Sequence, residues 1–219
     1  MCSWNTVISM ILLRALAFIL IFNFCKLDKV AAQSVRRGPS TDIVKASNVS
    51  RESWLFAVNY NWTKWEDRCQ FFVTTGLTHY TVNYTKFVIR DNTTPNTSYY
   101  GFFYHLGKAE DMHRRHNVPI FNAVTVNKKP HRWGGTNYTL LYSNYRNCSI
   151  LGTPNKTTNG GRACRVILTP SAVHQGMPRD CQLGYNLTCG TKSPLVKVFE
   201  DSCDRRFSFK TVPRVRRVH

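Results

Sequence analysis

Four of the seven histidines, His105, His113, His116 and His131, fall between residues 105 and 131, interleaved with Lys108, Arg114, Arg115, Lys128, Lys129 and Arg132. Imidazoles exchange protons near neutral pH, and neighbouring cations hold phosphate. The set could therefore supply a general acid/base pair and a phosphate clamp, with His113, His116 or His131 in the proton-transfer roles of a secreted hydrolase such as a ribonuclease. His113 and His116 would share one face of a helix, as two metal ligands do. The residues between them are Arg114 and Arg115, whose charge repels a cation, and no carboxylate motif completes the site. No metal site and no cofactor are expected.

Other catalytic signatures are missing. The chain contains no G-x-S-x-G, no H-E-x-x-H and no glycine-rich phosphate loop, and its 12 acidic residues form no evident glycosidase pair. The leading reading of the histidine cluster is a basic exposed face on a noncatalytic protein.

The N-terminal residues indicate export. Ile8–Leu13 and Leu16–Phe22 form an apolar run, and Val30-Ala31-Ala32 places small residues before a cleavage point at Gln33. Residues 1–32 are read as a signal peptide, with an uncleaved membrane anchor as runner-up because Arg14 interrupts the run. Nine N-x-S/T sequons follow, at Asn48, Asn61, Asn83, Asn92, Asn96, Asn137, Asn147, Asn155 and Asn186. Chance in a chain of this composition gives roughly three. Six cysteines lie beyond the signal: Cys69, Cys148, Cys164, Cys181, Cys189 and Cys203. An even number in an exported chain predicts three disulfides, with 15 pairings open. The absence of any C-x-x-C pair counts against zinc.

Thirty Lys and Arg against 12 acids give a net charge of +18, and removing the signal leaves +16. Arg205, Arg206, Lys210, Arg214, Arg216 and Arg217 crowd the last residues, with Asp204 the only acid among them. Such a tail suits a polyanion, and outside the cell that means sulfated glycans more than nucleic acid. No specific nucleic-acid motif is present. Arg214-Val215-Arg216-Arg217 also fits the pattern cut by convertases of the export pathway.

The elements that must position these residues are mostly short β-branched or aromatic runs, and hydrophobic residues make up 42% of the chain. A polar arm is expected over 33–50, an aromatic-rich β half over 51–147, a cysteine-rich half over 148–203 and a basic tail over 204–219. His79–Thr85 alternates strictly, so with a sugar on Asn83 pointing to water, Tyr80, Val82 and Tyr84 face inward. Further strands are predicted near 70–74, 86–90, 99–104, 120–126, 138–142, 165–169, 195–199 and 206–212, and one short helix near 106–116. The fold class read from this pattern is mainly β, an irregular or sandwich-like disulfide-stapled domain, with an immunoglobulin-like arrangement among those it admits. No Cys…Trp…Cys spacing singles that arrangement out.

In composition the chain resembles viral envelope or virus-encoded secreted glycoproteins. The resemblance implies a noncatalytic virion-surface subunit or secreted immune modulator that binds a host cell-surface or secreted protein. A structural place beside other envelope glycoproteins is the alternative. The expected contact surface is the sequon-free interval 99–136, with Tyr99, Tyr100, Phe102, Phe103 and Trp133 as anchors. Secretion through the endoplasmic reticulum, or display on a virion or cell surface, follows from the same features. If the tail is a polyanion site, changing Arg214, Arg216 and Arg217 to Glu lowers the salt needed to elute the protein from immobilised heparin. Unchanged retention removes the tail from the account.

Overall fold

The computed structural model describes residues 41–60, 68–90, 93–107, 114–115, 118–130, 134–154, 156, 158, 161–190, 192 and 194–205. Strands follow one another as β1 (Glu52–Val58), β2 (Gln70–Leu77), β3 (Thr81–Val88), β4 (Asn96–Tyr104), β5 (Arg114–Arg115), β6 (Val118–Pro119), β7 (Ala123–Asn127), β8 (Thr136–Ser143), β9 (Cys148–Gly152) and β10 (Cys164–Leu168). Apart from the small β5–β6 ribbon, each strand pairs antiparallel with the next, and β10 returns to pair with β1. Trp54 lies opposite Leu168, Leu55 opposite Ile167 and Val58 opposite Arg165. That last pairing closes eight strands, β1–β4 and β7–β10, into a barrel.

The expectation of a sandwich-like, irregular or immunoglobulin-like domain is thus corrected: the fold is a closed antiparallel barrel. Strict alternation identifies a half-buried strand but carries no information on curvature, and a pairing between residues 54 and 168 leaves no local mark. β1 and β9 were absent from the expected strands. β1 reads as an unbroken apolar run because both its faces are covered, which hides the period of two. β11 (Val196–Lys197) adds a short pairing to Ala57 and Val58.

The single helix expected near 106–116 is also corrected. Arg114 and Arg115 lie in β5, and residues 108–113 and 116 are outside the described residues. Helices occur instead at α1 (Ile43–Ser47), α2 (Pro170–Val173), α3 (Arg179–Cys189) and α4 (Ser202–Arg205). α1 falls in the stretch read as a polar arm. Asp42 Oδ1 caps it by accepting from Lys45 N at 3.0 Å, and Ile43 N donates to Phe121 O at 2.8 Å.

α3 packs on the outside of the barrel. Its buried residues Cys181, Gly184, Tyr185 and Cys189 recur at helical spacing on one stripe. Asp180 in its first turn complements the helix dipole, and Gly190 ends it at φ +78°. The six cysteines form three disulfides, Cys69–Cys203, Cys148–Cys181 and Cys164–Cys189. Two of these bolt the two ends of α3 to β9 and β10. The outer core between wall and helices is aromatic: Trp54 stacks on Phe71 at 4.9 Å, Phe71 on Phe87 at 4.7 Å, and Phe199 meets Trp54 edge-on at 5.3 Å. Among the described residues no helix is long and apolar enough to cross a membrane.

Along β3 the alternation holds, with Asn83 exposed and Val82 and Tyr84 turned into the barrel. Tyr80 precedes the strand, so the pleat does not govern it, and it is 59% exposed. Gly184 lets α3 approach β8, because a Cβ there would lie 2.5 Å from ring atoms of Tyr142. In an isolated helix Gly→Ala stabilises by about 1 kcal/mol. Overpacking of this kind costs about 1–3 kcal/mol. The Gly184→Ala variant should therefore melt a few degrees below wild type in a thermal scan, and a rise in Tm would contradict the close packing.

Candidate functional site

The barrel interior holds a cavity of about 170 Å³. Its position follows from the order of the turns. The β2–β3, β4–β7 and β8–β9 connections gather at one end, where α1 lies across the opening. Ile43 and Ala46 of α1 line the cavity there, beside Val82, Phe103, Val124 and Leu140. Tyr145 holds the helix in place: its hydroxyl oxygen accepts from Asp42 N at 3.0 Å, and Lys45 Nζ sits 4.6 Å from its ring. The β1–β2, β3–β4, β7–β8 and β9–β10 connections lie at the opposite end from α1, which we label the mouth.

Polar groups converge on the mouth side. Arg165, second residue of β10, projects inward with Ile167, while Cys164 and Val166 face the outer core. Its Nε donates to the Tyr60 hydroxyl oxygen at 2.7 Å and its Nη1 to that of Tyr138 at 3.2 Å. The guanidinium carbon lies 5.1 Å from the Tyr138 ring centroid and 6.0 Å from that of Tyr60. Burial disfavours the charge, but the oxygens of Tyr138 and Tyr60 outweigh it and hold the group above its ordinary pKa. Arg165 therefore stays a cation.

Tyr84 lines the same space, stacked on Tyr99 at 5.3 Å and edge-on to Phe72 at 5.9 Å. Burial, then the neighbouring Tyr138 and Tyr99, push its phenol well above the usual range, with Arg165 pulling the other way. It is a neutral phenol at any physiological pH.

No carboxylate lines the cavity among the described residues. The described acids are engaged elsewhere. Asp42 caps α1, Glu52 accepts from Trp54 Nε1, Asp180 pairs with Arg146, Glu200 with Arg68, and Asp201 faces His174 at 4.0 Å.

Sequence reasoning did not single out Arg165, Tyr60, Tyr138 or Tyr84 as a site. The available signal was one arginine inside the apolar run Cys164-Arg165-Val166-Ile167-Leu168. The expected anchors are split by the pleat of β4. Phe103 is buried inside the barrel, so it cannot contact a partner, whereas Phe102 is 40% exposed on the outside. Tyr99 and Tyr100 are half-buried, and Trp133 lies outside the described residues. His113, His116 and His131 lie outside them too. Both ring nitrogens of His105 are buried without a partner.

Asn48, Asn83, Asn96 and Asn186 are exposed. Asn137 and Asn147 are half-buried, their amide oxygens accepting from Thr125 Oγ1 at 2.6 Å and Asn144 Nδ2 at 2.8 Å. Asn61, Asn92, Asn155, Arg206, Lys210, Arg214, Arg216 and Arg217 are outside the described residues, and Arg205 is the last residue of α4.

Residues 35–205 match the family model described as tick histamine binding protein. The fold is similar to that of AM182, solved as a serotonin complex, with a TM-score of 0.55 and 13% identity over 76% of this chain and 94% of that one. It is also similar to Japanin from Rhipicephalus appendiculatus bound to cholesterol, with a TM-score of 0.50 and 13% identity over 73% and 98% of the two chains. No curated protein matches the sequence. At these identities the likenesses concern the fold, a lipocalin-like barrel.

Burial makes the interior phenols a source of alkaline lability. Tyr84, Tyr142 and Tyr185 all hold their protons more tightly folded than unfolded. Above pH ~10 the unfolded chain releases those protons while the folded one retains them. Their contribution is therefore whole below pH ~10 and declines as pH rises beyond it. Melting curves from pH 8 to 11 should show this decline, with a shallower slope in Tyr84→Phe. Equal slopes would remove Tyr84 from the effect.

Proposed function

Because the chain belongs to the tick histamine-binding protein family, whose members are secreted ligand-binding proteins, we propose that it is a noncatalytic carrier that sequesters one small, largely apolar molecule inside its barrel. The observation that carries this reading is the cavity itself, enclosed by strands, floored by α1 and given a few convergent polar groups at one end. Ligand sites are built in this way, with an apolar wall for affinity and few polar groups for orientation. At about 170 Å³ the space admits one ring with a short substituent, since a cavity of ~150 Å³ holds benzene. The relatives solved with serotonin and with cholesterol support a small-molecule ligand in general without choosing one. A viral origin, a host-protein partner, a role beside envelope glycoproteins and heparin binding draw no support from this family.

Occupancy is testable with a neutral probe of the right size. Wild-type protein should bind 4-ethylphenol, a single ring with a short substituent, read by saturation-transfer NMR or calorimetry. Thr74 lines the cavity from β2, so Thr74→Trp should weaken that binding at least tenfold by filling the space, with the far-UV spectrum unchanged. Equal binding by both proteins would place the ligand elsewhere and end the carrier reading.

A further inference from the structure

We infer that the ligand is an acid, held by its anionic head at Arg165 with its apolar body directed toward the α1 floor. The inference rests on the carrier reading and adds the charge of the ligand and its orientation. A cation facing an apolar cavity is costly unless something of opposite charge answers it. Here no acid does so among the described residues. The two tyrosines supply neutral oxygens, which stabilise the guanidinium without carrying a charge that cancels it.

Arginine has five N–H donors in a planar fork. Tyr60 takes the one on Nε and Tyr138 one of the pair on Nη1. Three remain, in the geometry that grips a carboxylate, sulfate or phosphate oxygen pair. The Tyr60 and Tyr138 contacts also fix the fork, so little rotamer freedom is lost when an anion arrives.

Orientation follows from where the charge sits. Val58, opposite Arg165, ends β1, and Tyr60 follows it in the connection at the mouth. Tyr138 lies near the start of β8, at the same end. The α1 end opposite is lined by Ile43, Val82, Phe103, Val124 and Leu140 together with neutral polar residues such as Ser47, Ser50 and Ser53, and among the described residues by no charged side chain. An amphiphile entering with its apolar end first meets the floor as its head reaches Arg165. Lys156 Nζ, 5.9 Å from the Tyr60 ring centroid, places a second cation near this end. A protonated amine would meet the same cation and, among the described residues, no carboxylate in the lining to answer its charge.

A matched series decides the matter by calorimetry: 3-phenylpropionate, its uncharged isostere 3-phenylpropionamide, and the cation 3-phenylpropylamine. On wild-type protein the acid should bind at least tenfold more tightly than the amide, and the amine more weakly than either. Arg165→Gln should bring acid and amide to within about twofold, and Arg165→Lys should restore part of the preference. If Arg165→Gln does not fold, the wild-type protein still gives an answer, because the acid's advantage must vanish as the ligand's own carboxyl is protonated at low pH. An amine bound as tightly as the acid, or a preference for acid that survives Arg165→Gln, overturns the inference. Binding of the amide with no preference for the acid refutes the charge assignment alone. Failure of all three probes refutes the carrier reading with it.

Discussion

Closure of β1 on β10 is the constraint on which the rest depends. Without it, the meander would present two open edges and no interior. With it, β1 becomes a wall covered on both sides, Trp54 and Phe56 toward the outer helices and Leu55 toward the barrel. Of the eight residues paired in the closure, Trp54, Leu55, Ala57, Val58, Val166, Ile167 and Leu168 are apolar, and Arg165 is the exception. The seam is thus held by ladder hydrogen bonds and by apolar area removed from water on both faces.

The disulfides reinforce that same wall. Cys148 and Cys164 begin β9 and β10 and bind the two ends of α3, while Cys69 at the entry to β2 binds Cys203 of α4. Each bridge shortens the loops open to the unfolded chain. The staples are concentrated where the wall must stay buried on both sides. The opposite wall, β3, β4 and β7, is held by pairing and by the interior cluster around Val82, Phe103 and Val126.

Within this frame Arg165 is a deliberate departure from a dry core. A leucine at that position would pack against Ile167 and Leu151 without any cost of charge burial. The chain instead places a guanidinium there and surrounds it with Tyr60, Tyr138 and, further in, Tyr84. Polar groups retained in an interior at such cost are commonly those a ligand uses. The asymmetry of the cavity, with Arg165 near one end and only neutral described residues lining the α1 end, distinguishes it from a packing defect.

Much of this was legible in residue order. The cysteines that form the bridges and most of the strands are local features, each readable within a few residues. Asn83, Val82 and Tyr84 took the faces that simple alternation assigns. Burial by a strand's neighbours, however, is not local. The pleat sends Phe102 out and Phe103 in, so an aromatic cluster that looks continuous in sequence is divided between two faces. Closure joins residues 54 and 168, and the site joins 60, 138 and 165. The sequence alone determined which cysteines could cross-link and most of the strand content, because those depend on composition and short periods. Only the tertiary structure decided barrel over sandwich, and which charged residue among thirty cations faces an enclosed apolar space. Both depend on pairings between distant strands, which no window along the chain contains.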